Sequence, residues 1–203
     1  MKFLFASIII VIILFSFTQK ESNIKALNPQ DTILAFGDSL TYGYNAKKNE
    51  SYPTILSQLS GIKVINAGVS GETSSEGLLR LPQLLEDKNI KLMILFLGAN
   101  DVLQRLPMEN IKTNLKSMIH MAKEKQIEVL LISVPNLGLF GPSDLSLYNE
   151  ISKDENVPLL SNMYVEILEQ PSLKSDQVHP NALGYRRMAE KIYKKLKKEG
   201  FIK

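Results

Sequence analysis

The sequence predicts an α/β protein in which a parallel sheet is covered by helices on both faces. Two almost continuous apolar runs, residues 92–97 and 128–134, are typical of strands that are buried on both faces. Strand-like segments alternate with helical patterns at spacings short enough for βαβ units. The chain has 203 residues, of which 44% are hydrophobic and 22% charged, so it suits one domain with a sizeable core.

The individual strands are predicted from short apolar runs that end at turn-forming residues. In chain order they are residues 32–36, 64–66, 92–97, 128–134 and 157–160. Helices are predicted at residues 52–60, 75–86, 108–125 and 181–199, and a polar stretch holding Tyr148 and Asn149 is also helix-like. In the helix 108–125, apolar side chains recur at helical spacing. Residues 135–142 are expected to form a loop.

The N-terminal segment has the pattern of an export signal. Lys2 precedes residues 3–17, which carry no charge and are mostly apolar. This stretch is short for a membrane span of roughly 20 residues. A small-residue cleavage site is poorly formed, so an uncleaved membrane anchor is the alternative. We divide the chain into a signal or anchor (1–20), a linker (21–30) and one folded domain (31–203), and expect an exported, periplasmic or other extracytoplasmic protein.

Composition narrows the classes of partner and site. The chain has no cysteine, so it has neither disulfides nor a thiolate metal site. Its net charge of +3 is weak support for an acidic partner. Many of the lysines lie in residues 191–198, where a solvated helix face explains them better than a nucleic-acid patch. We expect no nucleic-acid partner, and the oligomeric state stays open.

Polar residues follow the predicted strands at three places, and a fourth group precedes the last helix. Ser39 comes directly after the first strand, and the carboxyl ends of parallel strands meet at the edge where such sheets bind ligands. A serine hydroxyl becomes a nucleophile only with a base and a group that orients the base. His179 is the predicted base, and Asp176, three residues earlier, is placed to hold its tautomer.

Two further residues are candidates for an oxyanion hole. Gly68 follows the second strand and offers a backbone N–H, while Asn100 follows the third strand and offers a side-chain amide. Losing one such donor costs roughly 2.7–4 kcal/mol of barrier. The other histidine of the chain, His120, lies off the apolar stripe of its helix, so we expect it to face solvent and leave the role of base to His179.

These segments together resemble the SGNH (GDSL) hydrolase family. The resemblance runs from about residue 33 to the last helix and rests on four blocks: Phe36-Gly37-Asp38-Ser39-Leu40, Asn66-Ala67-Gly68-Val69-Ser70-Gly71, Gly98-Ala99-Asn100-Asp101 and Asp176-Gln177-Val178-His179-Pro180. Gly71-Glu72-Thr73, Arg80-Leu81-Pro82, Leu106-Pro107, Val157-Pro158-Leu159 and His179-Pro180-Asn181-Ala182 are similar to the exported arylesterase, lysophospholipase and acyl-CoA thioesterase I branch.

The resemblance implies a three-layer α/β/α, flavodoxin-like fold, here with a parallel five-stranded sheet. It implies that Ser39 is the nucleophile and that Asp176 and His179 complete a triad. Its oxyanion hole would be the N–H of Ser39 with Gly68 and Asn100, without metal or organic cofactor. Two departures bear on the acyl preference: residues 138–156 are shorter than is usual in the family, and the chain has no tryptophan.

The leading hypothesis is a serine esterase that forms an acyl-enzyme on Ser39. Its expected substrates are small-molecule carboxylic esters, thioesters or lysophospholipids with apolar acyl groups, because the predicted access loop holds Pro135, Leu137, Leu139 and Phe140. The nearest alternative is a carbohydrate O-acetyl esterase acting on cell-surface glycans with the same triad.

Two alternatives of other classes are weaker. A metal-dependent phosphoesterase would use Asp38, Asn100, Asp101, Asp176 and His179 as ligands, yet binuclear sites usually need several histidines. A membrane-tethered binding module, held through residues 3–17, would have kept the fold and lost activity, yet no catalytic position is missing.

Overall fold

The computed structural model describes residues 26–138 and 141–203, which form a five-stranded parallel sheet between helices. The sheet has the strand order β2-β1-β3-β4-β7. Its strands are β1 (Thr32–Gly37), β2 (Lys63–Gly68), β3 (Ile90–Phe96), β4 (Glu128–Ile132) and β7 (Leu159–Leu160). The predicted fold class is confirmed, and the strands differ from prediction by a few residues at their ends.

Helices fill the connections between these strands. They are α1 (Ser39–Tyr42), α2 (Tyr52–Ser60), α3 (Ser74–Leu84), α4 (Ala99–Leu103), α5 (Met108–Glu124), α6 (Ser146–Glu155), α7 (Met163–Leu168) and α8 (Ala182–Lys198). The stripe predicted on α5 is its buried face: Ile111, Leu115, Met118, Ile119 and Ala122 are fully buried. α1 and α4 are single turns that follow β1 and β3, so two of the polar segments at the sheet edge begin helices.

The central strands position the site. β1 is buried along its whole length and pairs in parallel with both β2 and β3. Gly37, its last residue, pairs with Gly68 on one side and with Phe96 on the other. The carboxyl ends of three strands therefore lie level at one edge, and the residues that follow them are neighbours.

A hairpin replaces the loop that the sequence predicts at residues 135–142. Strands β5 (Pro135–Gly138) and β6 (Gly141–Asp144) pair in antiparallel fashion. The Asp144 carboxylate holds the hairpin to the sheet because its Oδ2 accepts from Ser133 Oγ at 2.6 Å and from the Asn162 N–H at 2.5 Å. The loop prediction was wrong since these tertiary contacts order a stretch whose glycine and proline content is typical of loops.

The predicted signal or anchor (1–20) lies outside the described residues, as does most of the linker (21–30). The first described residues are tied to the C-terminus, since the Leu27 N–H donates to the Phe201 carbonyl at 2.8 Å. Within residues 26–138 and 141–203, no helix has both the length and the apolar character that crossing a bilayer requires.

Candidate active site

Ser39 is the first residue of α1, immediately after β1. Asp38 caps this helix, and its Oδ1 accepts from the Leu40 N–H at 3.0 Å. The first N–H groups of a helix have no partner within the helix, so the Ser39 N–H is available to a ligand. The abrupt change from buried strand to capped turn thus presents both the hydroxyl and the N–H of Ser39 at the sheet edge.

Three side chains from distant parts of the chain meet in series at this edge. Ser39 Oγ lies 3.1 Å from His179 Nε2, across 140 residues of sequence. His179 Nδ1 lies 2.8 Å from Asp176 Oδ2. The other carboxylate oxygen, Oδ1, accepts from the Val178 N–H at 2.9 Å and from the His179 N–H at 2.7 Å. The structure therefore brings together the three residues that the sequence predicts as a triad.

The electrostatics of the pair favour an ionised Asp176. Burial raises the pKa of Asp176, but the N–H groups of His179 and Val178 and the His179 imidazole outweigh this effect, so the pKa lies below its ordinary value. A carboxylate at Nδ1 favours the tautomer with the proton on that nitrogen. Nε2 is then an acceptor, which is what the hydroxyl of Ser39 requires for deprotonation.

Asn100 lies in the first turn of α4, beside the loop that follows β2. Its Nδ2 donates to the Glu72 carbonyl at 3.0 Å. An amide nitrogen carries two hydrogens, so one donor of Asn100 remains for a ligand. This contact fixes the amide and also places the Gly71-Glu72 segment next to it.

Gly68 is less suited to the oxyanion role that the sequence predicts for it. Its N–H already donates to Asn66 Oδ1 at 3.0 Å. The residue is packed against the backbone of α1, where a Cβ would lie 2.0 Å from the Tyr42 nitrogen. Glycine is needed at this position for close packing, and the geometry does not offer its N–H to a ligand.

Gly71, in the same loop, fits the role better. Its φ is +84°, and open space surrounds the position that a Cβ would occupy. Among the described residues no acceptor is paired with the Gly71 N–H. Its neighbour Glu72 is bonded through the carbonyl to Asn100 at 3.0 Å. Sequence alone does not tell which of the two glycines offers its N–H to a ligand; the hydrogen bonds of the structure favour Gly71.

An ion pair between the buried Glu72 and the partly buried Arg80 anchors this loop to the sheet. Arg80 Nε lies 2.5 Å from Glu72 Oε1, and its Nη2 lies 2.6 Å from Oε2. The same Nη2 donates to the Ala67 carbonyl at 2.8 Å, and the guanidinium lies 4.2 Å from the centroid of the Phe36 ring. A bidentate pair of this kind fixes geometry as well as adding energy, so Arg80 connects α3 to the ends of β1 and β2.

Asp38 is a second carboxylate beside Ser39, in a different environment. It is 1% exposed, and among the described residues its Oδ2 has no hydrogen-bond partner. Burial raises its pKa from 3.8 to about 7; the Leu40 N–H opposes this, and the nearby Glu72 and Asp101 carboxylates add to it.

An apolar pocket opens between α4, the end of β4, α7 and the segment that carries His179. It is lined by Ala99, Val102, Leu103, Val134, Pro135, Tyr164, Leu168 and Val178. Ala99 precedes Asn100 and Val178 precedes His179, so the pocket adjoins the polar groups of the site. Of the predicted access-loop residues, Pro135 lines the pocket, while Leu139 and Phe140 lie outside the described residues.

His120 lies away from the site, and Asp101, one of the metal ligands considered from the sequence, is bonded to Ser74. His120 is exposed, as predicted, and its Nε2 lies 2.7 Å from Glu155 Oε2. Both carboxylate oxygens of Asp101 accept from Ser74, at 2.7 Å and 2.6 Å. In the described part of the chain, no three His, Asp or Glu residues are grouped so that they could hold a metal ion.

A serine, an imidazole and a carboxylate bonded in series at the carboxyl edge of a parallel sheet define the class of serine hydrolases. Comparison with known proteins narrows the class. Residues 35–187 match the GDSL-like lipase/acylhydrolase family, and the chain belongs to this family.

Two curated relatives and one solved structure illustrate the similarity. An arylesterase of Vibrio mimicus is 30% identical over 183 residues, which cover 85% of this chain and 92% of the relative. The thioesterase 1/protease 1/lysophospholipase L1 of Escherichia coli K12 is 32% identical over 158 residues, covering 74% and 76%. The crystal structure of the psychrotrophic esterase EstA from Pseudoalteromonas sp. superposes with a TM-score of 0.73 at 30% identity, covering 83% of this chain and 97% of EstA.

These similarities confirm the predicted SGNH (GDSL) family and the three-layer α/β/α fold. The protein is an ester-hydrolysing enzyme of the SGNH serine esterase type.

Proposed function

We propose that the protein hydrolyses carboxylic esters and thioesters through an acyl-enzyme on Ser39, with His179 as general base and acid and Asp176 as its orienting group. The observation that supports this most directly is the series of hydrogen bonds, 3.1 Å from Ser39 to His179 and 2.8 Å from His179 to Asp176. Both distances are within reach for proton transfer before any substrate is bound.

The reaction proceeds in two halves. Ser39 Oγ attacks the acyl carbon while its proton passes to His179 Nε2, and the tetrahedral intermediate collapses as His179 protonates the leaving alcohol or thiol. Water then attacks the acyl ester on Ser39 and gives a proton to His179. The carboxylic acid leaves as Ser39 regains its proton from the imidazole.

The oxyanion would be held by the Ser39 N–H, the free N–H of the Asn100 amide and the Gly71 N–H. Gly71 takes the place predicted for Gly68, because the Gly68 N–H already bonds Asn66. Donors fixed before reaction stabilise charge that develops in the transition state more than they stabilise bound ester. Asn100 is fixed by its bond to the Glu72 carbonyl.

The acyl group would occupy the apolar pocket beside Asn100 and His179. Its lining side chains are all apolar except for the Tyr164 hydroxyl, which donates to the Val178 carbonyl. Apolar acyl esters, thioesters and lysophospholipids are therefore the favoured substrate class, in agreement with the names of the Vibrio and Escherichia relatives. A sugar acetate offers less apolar surface to this lining, so we rank a carbohydrate O-acetyl esterase second.

The proposal is tested with p-nitrophenyl butyrate and with esters and thioesters of graded acyl length. Ser39→Ala and His179→Ala are each expected to lower kcat by at least ~10³-fold, and Asn100→Ala by ~10²–10³-fold with little change in KM. Activity that resists EDTA and is lost with a serine-directed phosphonate is expected. Full activity of Ser39→Ala, or loss of activity with EDTA alone, would contradict the mechanism.

The acyl-length profile also separates the two candidate substrates. Esters with apolar acyl groups should be better substrates than acetyl esters of sugars, because the lining of the pocket is apolar. A strict preference for O-acetyl groups on glycans would instead favour the second candidate.

We also propose export, on the basis of the charge-free residues 3–17 after Lys2. N-terminal sequencing of the protein recovered from outside the cytoplasm distinguishes a cleaved signal from a retained anchor. Recovery of the full chain in the cytoplasm would contradict both.

A further inference from the structure

Asn45, in the segment after α1, contacts the carboxylate of the triad. Its Nδ2 donates to Asp176 Oδ2 at 3.0 Å and to Ser175 Oγ at 3.2 Å. Asp176 Oδ2 is the same oxygen that faces His179 Nδ1 at 2.8 Å. One oxygen thus receives a donor from each side, and the amide and the imidazole together determine where it lies.

Asp176 needs such support because its side chain is 41% exposed. Water competes for the oxygens of an exposed carboxylate, and the side chain is free to adopt other rotamers unless fixed donors hold it. The N–H groups of Val178 and His179 hold Oδ1. Among the described side chains, Asn45 and His179 are the partners of Oδ2.

The segment that carries Asn45 is itself fixed against the site. The Tyr44 ring packs on the His179 imidazole with 4.5 Å between centroids, and the Tyr44 carbonyl accepts from the Tyr185 hydroxyl at 2.9 Å. Asn45 has a φ of +61°, in the left-handed region that asparagine tolerates better than most residues. The fold accepts this backbone conformation at the position where the amide meets Asp176.

We propose that Asn45 is a positioning residue of the enzyme, which acts on the reaction by holding Asp176 Oδ2 in line with His179 Nδ1. This proposal rests on the proposed function of the Ser39–His179–Asp176 series. The Asn45 amide donates more strongly to an ionised carboxylate than to a neutral acid, so it favours the charged form of Asp176, which accepts the Nδ1–H of His179. Asn45 does not touch the reacting atoms.

Asn45→Gly tests the proposal, because glycine removes the amide and adopts the left-handed backbone without strain. We expect kcat for p-nitrophenyl butyrate to fall ~10-fold with KM almost unchanged, as for a lost hydrogen bond to a charged group. The matched control is Asn156→Gly: Asn156 has a φ of +48° at the end of α6, away from the site, and its replacement should leave kcat unchanged.

A double-mutant cycle separates positioning from a general structural role. In the Asp176→Ala background Asn45 has no carboxylate to hold, so Asn45→Gly should change kcat by less than ~2-fold there. A ~10-fold loss in both backgrounds would overturn the proposal, and so would an unchanged kcat of Asn45→Gly in the wild-type background.

Asn45→Asp provides a second variant if Asn45→Gly fails to fold. It tolerates the same backbone conformation but places a like charge against Asp176, so kcat should fall by at least as much. A folded Asn45→Asp enzyme with the wild-type kcat would overturn the proposal. A wild-type enzyme that hydrolyses no ester would instead refute the proposed function, so the two failures are distinguishable.

Discussion

Two carboxylates flank the serine–histidine pair, and their surroundings differ in almost every respect. Asp38 is buried beneath α1, has one oxygen without a partner among the described residues, and has a pKa raised to about 7. Asp176 is half-exposed, accepts four hydrogen bonds, and has a pKa below its ordinary value. Both are aspartates within reach of the same site.

The difference shows that hydrogen-bond donors around a carboxylate, more than its burial, decide whether it stays ionised and can support a charged imidazole. Burial alone favours the neutral form, which is a poor partner for an imidazolium. Asp176 keeps its charge because N–H groups surround it, whereas Asp38 uses one oxygen to cap α1. In the proposed mechanism, Asp176 therefore supports the charged imidazole, and Asp38 has a structural role as the cap of α1.

The largest expected effect comes from Asp176→Asn. The side chain keeps its size but cannot hold the charged imidazole, so kcat should fall by ~10⁴-fold while the protein stays folded. Steady-state kinetics and urea unfolding of the same preparation measure both quantities. A folded variant with nearly wild-type kcat would show that Asp176 does not support the charged imidazole. A variant that fails to fold would show that Asp176, like Asp38, has a structural role.

Asp38 is expected to make the free energy of unfolding depend on pH. Because its pKa is raised from 3.8 to about 7, its contribution is fully present below the ordinary value and is lost as pH rises through 7. The free energy of unfolding should decline over this interval by at most about 4 kcal/mol. Asp38→Asn keeps the acceptor for Leu40 and removes the titration, so its profile should be flatter. If the free energy of unfolding of wild type and of Asp38→Asn changes with pH in the same way, burial does not raise the pKa of Asp38.

The lowered pKa of Asp176 acts in the opposite sense and at lower pH. It stabilises the fold above the ordinary value of 3.8, and that contribution is lost as pH falls through the lowered pKa. Asp176→Asn should therefore flatten the acid side of the stability profile, whereas Asp38→Asn should flatten the decline in the free energy of unfolding toward neutral pH.

Asp101 offers an intermediate case, buried like Asp38 but fully bonded like Asp176. Asp101→Ala leaves the N–H and hydroxyl of Ser74 without their acceptor and should cost about 2 kcal/mol in urea unfolding. Asp154→Ala, at an exposed pair with Lys116, is the control and should cost less than ~1 kcal/mol. If both variants lose the same unfolding free energy, the buried hydrogen bonds to Ser74 stabilise the fold no more than an exposed ion pair does.

The smallest effect is expected at the second histidine. His120 is exposed, and its buried partner Glu155 is also paired with Lys116 and Lys123. His120→Ala should therefore leave kcat unchanged and alter the unfolding free energy by less than ~1 kcal/mol. Comparison with His179→Ala in the same ester assay checks this. A large loss of kcat would mean that the wrong imidazole had been placed in the site.

Much of the fold was predictable because buried parallel strands leave a strong signal. β3 and β4 are apolar runs whose burial on both faces follows from their position in the middle of the sheet. The β5–β6 hairpin was not predictable, since Asp144 and its contacts with Ser133 and Asn162 order it. These partners lie far enough along the chain that no local pattern indicates them.

The candidate site was predictable where residue types are distinctive and not where hydrogen bonds decide. Ser39, Asp176, His179 and Asn100 each follow from position and chemistry, and the structure brings them to one edge. The sequence offers both Gly68 and Gly71 as N–H donors. The Gly68 N–H already donates to Asn66, which favours Gly71. Asn45 gave no signal, because its contact with Asp176 spans 131 residues.

The separation of 140 positions between Ser39 and His179 also affects how the enzyme is formed during translation. Ser39 and β1 to β4 precede His179 in synthesis, so a nascent chain released before residue 176 contains four of the five strands of the sheet and lacks the proposed base. If His179 is that base, ester hydrolysis begins only after translation has delivered the C-terminal segment, and chains truncated before residue 176 are inactive.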